Sequence, residues 1–183
     1  KIGENEPGAA IAISYEQEMI FGKGYGLRDL ETKEPITLNT NMRMASVSKQ
    51  FTALCILSLV DENLLSLNDT ISKFWNYPVF KNITVEHLLN HTSGLADYEE
   101  PYFLEKWDRS NIVENRDILE WLKTNPNPLF EPGNSWAYSN TAYLVLALLV
   151  EKVSGQDFSS YAKENIFKKT GMENTNFYNL AKP

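Results

Sequence analysis

Residues 44–54 read MASVSKQFTAL, with Ser46 followed three positions later by Lys49, where the chain turns from polar to apolar. On a helix, side chains at that spacing share one face. A serine hydroxyl is a poor nucleophile until a neighbouring base takes its proton. A lysine fills that role when desolvation or nearby charge lowers its pKa from about 10.4. A serine at a helix N-terminus also has backbone N–H groups at hand to hold an oxyanion. The alternative is that Ser46 caps a helix and Lys49 is a solvated charge. Spacing alone does not decide, because Ser160 and Lys163 repeat it inside an amphipathic segment, where a solvated helix face is the simpler reading.

A second set of proton-handling groups stands in the stretch WAYSNT, Trp136 to Thr141. The Tyr138 hydroxyl can share or relay a serine proton, given a positive neighbour that lowers its pKa from about 10. Asn140 can donate to a substrate carbonyl and accept from Lys49. Taken alone, an aromatic cap with Asn140 as N-cap accounts for the same residues. His87 and His91 have the i, i+4 spacing of zinc ligands. The H-E-x-x-H pattern, however, needs a glutamate directly after the first histidine, and Leu88 stands there. No cysteine or third histidine is available to complete a site, so a structural role is preferred, with His91 holding the turn of HTSGL. Gly22, Gly24 and Gly26 fit neither G-x-x-x-x-G-K-[ST] nor G-x-G-x-x-G, and mark instead a strand face where another element packs close. The lone Cys55, inside FTALCILSLV, reads as a small core residue.

The elements that must position these groups begin with a β-hairpin. Ala9–Ser14 and Ile20–Leu27 are apolar runs on either side of YEQEM. After a turn-rich connection the spacing predicts a helix over 46–60, ended by Asp61-Glu62-Asn63. A short helix is expected to open near Asn68 or Asp69, and others over 84–90, 116–123 and 140–154, the last with Gly155 at its C′ position. A final amphipathic helix is predicted over 158–169. Residues 96–114 are acidic and aromatic without clean periodicity and read as an irregular loop. The aromatics Tyr98, Tyr102, Phe103 and Trp107 either line a cleft or cover the core. Two strands followed by helices indicate an α+β fold whose sheet is incomplete, since one hairpin is not a stable sheet.

At 183 residues the chain suits one domain or two small ones, and 43% hydrophobic content is that of a globular protein. A net charge of -7, with no long basic run, argues against a nucleic-acid partner or an anionic membrane surface. The longest apolar stretch, TAYLVLALLV, is short of the ~20 residues a membrane span needs. The start at Lys1 looks processed or trimmed, so the lack of a signal peptide carries no weight. Sequons at Asn68, Asn82 and Asn90 matter only in a glycosylating pathway.

Taken together, in this order, the segments PGAAIAI, FGKGYGLRD, MASVSKQFTAL, LLSLNDTISKFW, ITVEHLLNHTSGL, FEPGNSWAYSNTAYLVLALLVEKVSG and IFKKTGMENTNF form a pattern. The chain resembles the serine β-lactamase and penicillin-binding-protein superfamily, in its class C-like branch. The resemblance implies a β-lactamase/transpeptidase-like fold, an antiparallel sheet flanked by helices with a helical subdomain. It implies one domain over 1–183, with sheet strands and connection in 1–45 and the nucleophile helix and mostly helical region in 46–183. Ser46 matches the acylated nucleophile, Lys49 its proton-handling partner, Tyr138 the general base that also protonates the leaving group, and Asn140 the residue that orients the substrate amide. The implied reaction is acyl transfer from D-amino-acid peptides, β-lactams or small esters through a covalent acyl-enzyme. No metal or other cofactor is expected, and the expected partner is a small-molecule or peptide substrate.

The S-D-N triplet of class A enzymes is absent, and Y-S-N takes its place. The superfamily's third element is a Lys-Thr-Gly or His-x-Gly on a late strand. Lys169-Thr170-Gly171 carries those letters but aligns with a helix end. The expectation is therefore an N-terminal portion of a longer domain, lacking its C-terminal strands and inactive by itself. A sensing module that acylates without turnover is the alternative function, and a catalytically dead scaffold is disfavoured by the intact set of four residues. Relatives acting on cell-wall peptides imply export to the periplasm or cell surface.

Overall fold

A computed structural model describes residues 2–100, 112–125 and 127–178. The chain divides into two compact units, residues 1–44 and 45–183.

The first unit is built on an antiparallel hairpin of β1 (Ala9–Tyr15) and β2 (Glu18–Tyr25). The turn is tighter than the five residues YEQEM suggest. Only Glu16 and Gln17 lie between the strands, both with positive φ (47° and 69°), as a two-residue turn that follows strand twist demands. The register slips between Ile13 and Ser14, a bulge that leaves Ile20 unmatched. The close approach expected at the glycines is present at Gly24, where a Cβ would lie 2.0 Å from the Ile36 carbonyl oxygen. Leu27 and Ile36 are buried. The hairpin's own apolar side chains, among them Ile11, Ile13 and Phe21, stay exposed.

The second unit is helical. A 3₁₀ turn over Ala45–Ser48 leads directly into α1 (Lys49–Asp61). The sequence predicts a single helix from Ser46; instead the nucleophile candidate sits in the 3₁₀ turn, and the α-helix proper begins at Lys49. Ala45, the residue that opens the turn, takes φ 45°, a left-handed conformation, so no regular helix extends back through it. Thr52, Cys55, Ile56 and Leu59 form the buried stripe of α1 at helical spacing.

The expected short helix near Asn68 appears as a 3₁₀ turn over Ile71–Lys73, and a second one, over Pro78–Phe80, has Pro78 at its start. α2 (Val85–Leu89) is set by a capping box, in which the Thr84 side chain accepts from His87 N–H and the His87 ring accepts from Thr84 N–H. α3 spans Asn115–Thr124 and α4 spans Asn140–Ser154, where Gly155 (φ 69°) closes it as its sequence position demands. Ser139, and not Asn140, is the N-cap of α4, its hydroxyl accepting from Ala142 N–H.

α5 (Phe158–Ala162) starts at Asp157, whose carboxylate accepts from Ser159 and Ser160 N–H. The predicted continuation to Lys169 is not regular, for Lys163–Phe167 form a π-helical turn. The wider i→i+5 repeat has a packing reason. It follows buried Tyr161 and Ala162 with Ile166 and Phe167, where a 3.6-residue repeat would carry Asn165 inward. Ser160 and Lys163 are exposed, as a solvated face should be.

α4 is the centre of this unit and contacts α1, α2, α3 and α5. Leu146 is fully buried in that core. Leu146→Ala should cost about 2–5 kcal/mol, the range for a leucine truncated where neighbours cannot collapse. Chemical denaturation should show this as a lower midpoint at unchanged slope.

Candidate active site

The site begins with the turn after α2. His91 leaves the helix with φ 60°, and Gly94 follows with φ 71°. A Cβ on Gly94 would meet the Phe130 carbonyl oxygen at 2.3 Å, so this position accommodates glycine alone. The tight turn exposes backbone acceptors to the segment that precedes α4. Leu129 N–H donates to Gly94 O (2.7 Å), Gly133 N–H to Thr92 O (2.9 Å) and Ala137 N–H to His91 O (3.0 Å). Two side chains extend the seam. Ser139 N–H donates to His91 Nδ1 (3.1 Å) and Asn140 N–H to Asp97 Oδ2 (2.5 Å). In return, Tyr98 N–H donates to the buried Thr141 hydroxyl at 2.9 Å. The Y-S-N stretch is thus laid along the His91–Asp97 turn by its own main chain.

That placement brings four side chains together. The Tyr138 hydroxyl donates to Ser46 Oγ at 2.7 Å. Lys49 Nζ donates to Ser46 Oγ at 3.3 Å and to Asn140 Oδ1 at 2.6 Å. The same amine stands 4.8 Å from the Tyr138 ring centre and 5.6 Å from that of Tyr143, both within cation–π range. Ser46 is exposed, Lys49 and Asn140 are half-buried, and Tyr138 keeps 43% of its surface accessible. An incoming substrate can therefore reach the hydroxyl while its partners stay fixed.

The electrostatics favour proton exchange. Burial pushes the Tyr138 phenol up, but the interaction with Lys49, the Ser46 hydrogen bond and the Lys49 charge together outweigh it, so the phenol falls below its ordinary value. Asp97 adds a weaker upward pull. The His91 imidazole is also held low, first by burial and then by the Lys49 charge, against an opposing pull from Asp97. A neutral ring is what its Nδ1 needs in order to accept from Ser139.

The beta-lactamase family model matches residues 2–182. The chain belongs to the beta-lactamase family. It is 36% identical over 163 residues to a penicillin-binding protein of Bacillus subtilis (strain 168), covering 88% of this chain and 36% of that one. It is 33% identical over 170 residues to a D-aminopeptidase of Brucella anthropi, covering 91% and 32%. Among solved structures, a penicillin-binding protein of Bacillus halodurans superposes with TM-score 0.83 at 29% identity, covering 95% of this chain and 53% of that one. The fold is that of the β-lactamases and penicillin-binding proteins. The chain spans about a third of the length of these two curated relatives.

Within this beta-lactamase-family chain, the histidine pair divides into two separate structural tasks. His87 closes the capping box of α2 with its Nε2 facing Gly133, whereas His91 turns toward Tyr138 and Tyr143, with ring centres 4.7 and 5.1 Å away. Among the described residues no group of three or more His, Cys, Asp or Glu side chains could hold a metal. Lys169-Thr170-Gly171 lies in the turn that follows the π-helical segment, with the Thr170 hydroxyl donating to Ile166 O. Cys55 is fully buried in the core. Tyr98 packs half-buried beside α4, while Tyr102, Phe103 and Trp107 lie outside the described residues. Sequence reasoning missed Asp97, which sits in the stretch read as irregular loop; the readable signal was an acid six residues after His91 of the HTSGL turn.

His91 also sets a pH response. An unfolded histidine takes a proton near pH 6.5, whereas the folded imidazole takes one only at lower pH. Its contribution is therefore complete above about 6.5 and declines as pH falls toward the lower folded value. His91→Asn keeps an acceptor and tolerates the left-handed backbone but cannot titrate. The thermal midpoint of this variant should fall less than that of the wild type between about pH 7 and 5.

Proposed function

We propose that this chain carries the acylating centre of a serine acyl hydrolase, with Ser46 as nucleophile, acting on D-amino-acid peptides, β-lactams or small esters. It forms a portion of one β-lactamase-like domain over 1–183, and the activity belongs to the protein at its natural full length. The observation that carries this reading is that Ser46 Oγ lies in hydrogen-bonding reach of both Lys49 Nζ and the Tyr138 hydroxyl. Similarity to a penicillin-binding protein and a D-aminopeptidase supports the substrate range and also export. Among the described residues no helix is long and apolar enough to cross a membrane.

The steps follow from the contacts. With the phenol deprotonated, the short Tyr138–Ser46 bond runs the other way, and Ser46 gives its proton to the Tyr138 oxygen as Oγ attacks the carbonyl carbon. Lys49, bonded to Ser46 and Asn140, keeps positive charge beside the phenolate and lowers the energy of that form. The Ser46 N–H serves as one donor to the oxyanion. As the tetrahedral intermediate collapses, the C–N or C–O bond breaks and Tyr138 returns the proton to the leaving group. Water then attacks the acyl ester, gives a proton to Tyr138, and Ser46 recovers it on release. The Asn140 amide N–H₂, free to point outward while its Oδ1 holds Lys49, orients the substrate carbonyl group.

Intact-mass measurement of the full-length protein with a fluorophosphonate, and separately with a reactive β-lactam, tests the assignment. The expected result is one adduct on Ser46, absent in Ser46→Ala, with Lys49→Met slowing its formation by about 10²–10⁴-fold. A transient β-lactam adduct marks turnover, and a persistent one marks a module that acylates without release. No adduct from either reagent would refute the reading. Because the Tyr138 phenol is held low, the modification rate should climb with pH to a midpoint below about 10.

A further inference from the structure

We propose that Asp97 is a positioning residue for acylation, whose carboxylate fixes the backbone of Asn140 and, through it, the Lys49 amine at Ser46. The proposal rests on the reading of Ser46 as nucleophile. Three observations carry it. Asn140 is the first residue of α4, and its N–H is one of the orphan donors that every helix start leaves open. The helix already has its side-chain cap, since Ser139 takes the Ala142 N–H. Asp97 is thus a second, separate acceptor, placed on the one peptide group whose own side chain holds Lys49. The Asn140 N–H to Asp97 contact at 2.5 Å and the Asn140 Oδ1 to Lys49 contact at 2.6 Å are the two shortest links in the chain of bonds that ends at Ser46.

A carboxylate here is not electrostatically neutral toward the reaction. The groups facing the Tyr138 phenol are Lys49 from α1, His91 and Asp97 from the turn, and the Tyr98 and Tyr143 hydroxyls from the turn and α4. Among these, Asp97 opposes formation of the phenolate that Lys49 favours. A residue that only supported the helix start would use its charge for nothing beyond a stronger bond to the Asn140 N–H and the helix dipole. An anionic one, so near the phenol, sets the pH at which the base forms as well as where Asn140 stands. The two effects separate by substitution. Asparagine keeps an acceptor oxygen without the charge, and alanine removes both.

The test uses the full-length protein, with kcat and KM for a p-nitrophenyl ester and the rate of Ser46 modification by a fluorophosphonate followed against pH. Asp97→Ala should lower kcat by about 10²-fold with KM little changed, the scale of a reacting group misplaced by about an ångström. Asp97→Asn should restore most of that loss. Its pH midpoint should move below that of the wild type, because removing the carboxylate favours the phenolate. An alanine variant at wild-type rate, an asparagine variant as slow as alanine, or a midpoint that stays or rises would each overturn the proposal. If circular dichroism shows that Asp97→Ala does not fold, the midpoint of Asp97→Asn alone decides. A wild-type protein that never takes the probe at Ser46 refutes the nucleophile itself. A labelled wild type beside an unaffected alanine variant refutes only the role of Asp97.

Discussion

Lys49 Nζ donates at once to the Ser46 hydroxyl and to the Asn140 amide oxygen, joining two stretches of chain 91 residues apart. Ser46 and Lys49 are neighbours by virtue of local helical geometry and need no help to meet. Tyr138 and Asn140 are not local to them, and their arrival is a matter of tertiary structure. Ordering backbone costs roughly 1–2 kcal/mol per residue, so fixing more than a few residues on each side exceeds what the two hydrogen bonds of one ammonium return, at about 1.5–3 kcal/mol each. The amine therefore cannot organise the two segments by itself. They must be brought to it already in place.

The main chain does that work. Ala137, Ser139 and Asn140 each give their N–H to the turn between His91 and Asp97, to a carbonyl, an imidazole and a carboxylate in succession. Satisfying backbone donors at the start of α4 and aiming two side chains into the site are one and the same event. The left-handed residues mark where the chain bends to permit it. Ala45 turns the segment before Ser46, His91 ends α2, and Gly94 lets Phe130 pass against the turn. Two of these three carry a Cβ, which costs energy in that conformation, and both adjoin residues proposed to handle the proton.

Much of this was legible in the sequence, and the division is physical. Features governed by neighbours a few residues apart came through. The hairpin around Glu16-Gln17, the α2 helix after Thr84 and the stop at Gly155 all follow from local dihedral and capping preferences. The S-x-x-K and Y-S-N letters were likewise visible, but spacing left a helix cap and a solvated charge open, and the roles expected of them came from the resemblance to the β-lactamase and penicillin-binding-protein superfamily. What stayed hidden depends on contacts remote in sequence. Residue types over 46–48 do not separate a 3₁₀ turn from the first turn of an α-helix, and an alanine gives no sign of the positive φ at position 45. The π-helical turn at Lys163–Phe167 arises from the packing of Ile166 and Phe167, with the Phe167 ring edge-on to Phe51 of α1 at 5.1 Å. Asp97, in an acidic stretch without periodicity, acquires meaning only when the start of α4 lies beside it.

The burial of Cys55 has a practical corollary. This chain contains one thiol, and its sealed position on the inner stripe of α1 pushes the pKa up to about 12. Thiolate is the form that reacts with electrophiles, and at neutral pH almost none exists there. Reagents that react with thiolates thus find no such competitor within these 183 residues. Labelling of a hydroxyl in this stretch therefore requires no cysteine within it to be engineered away.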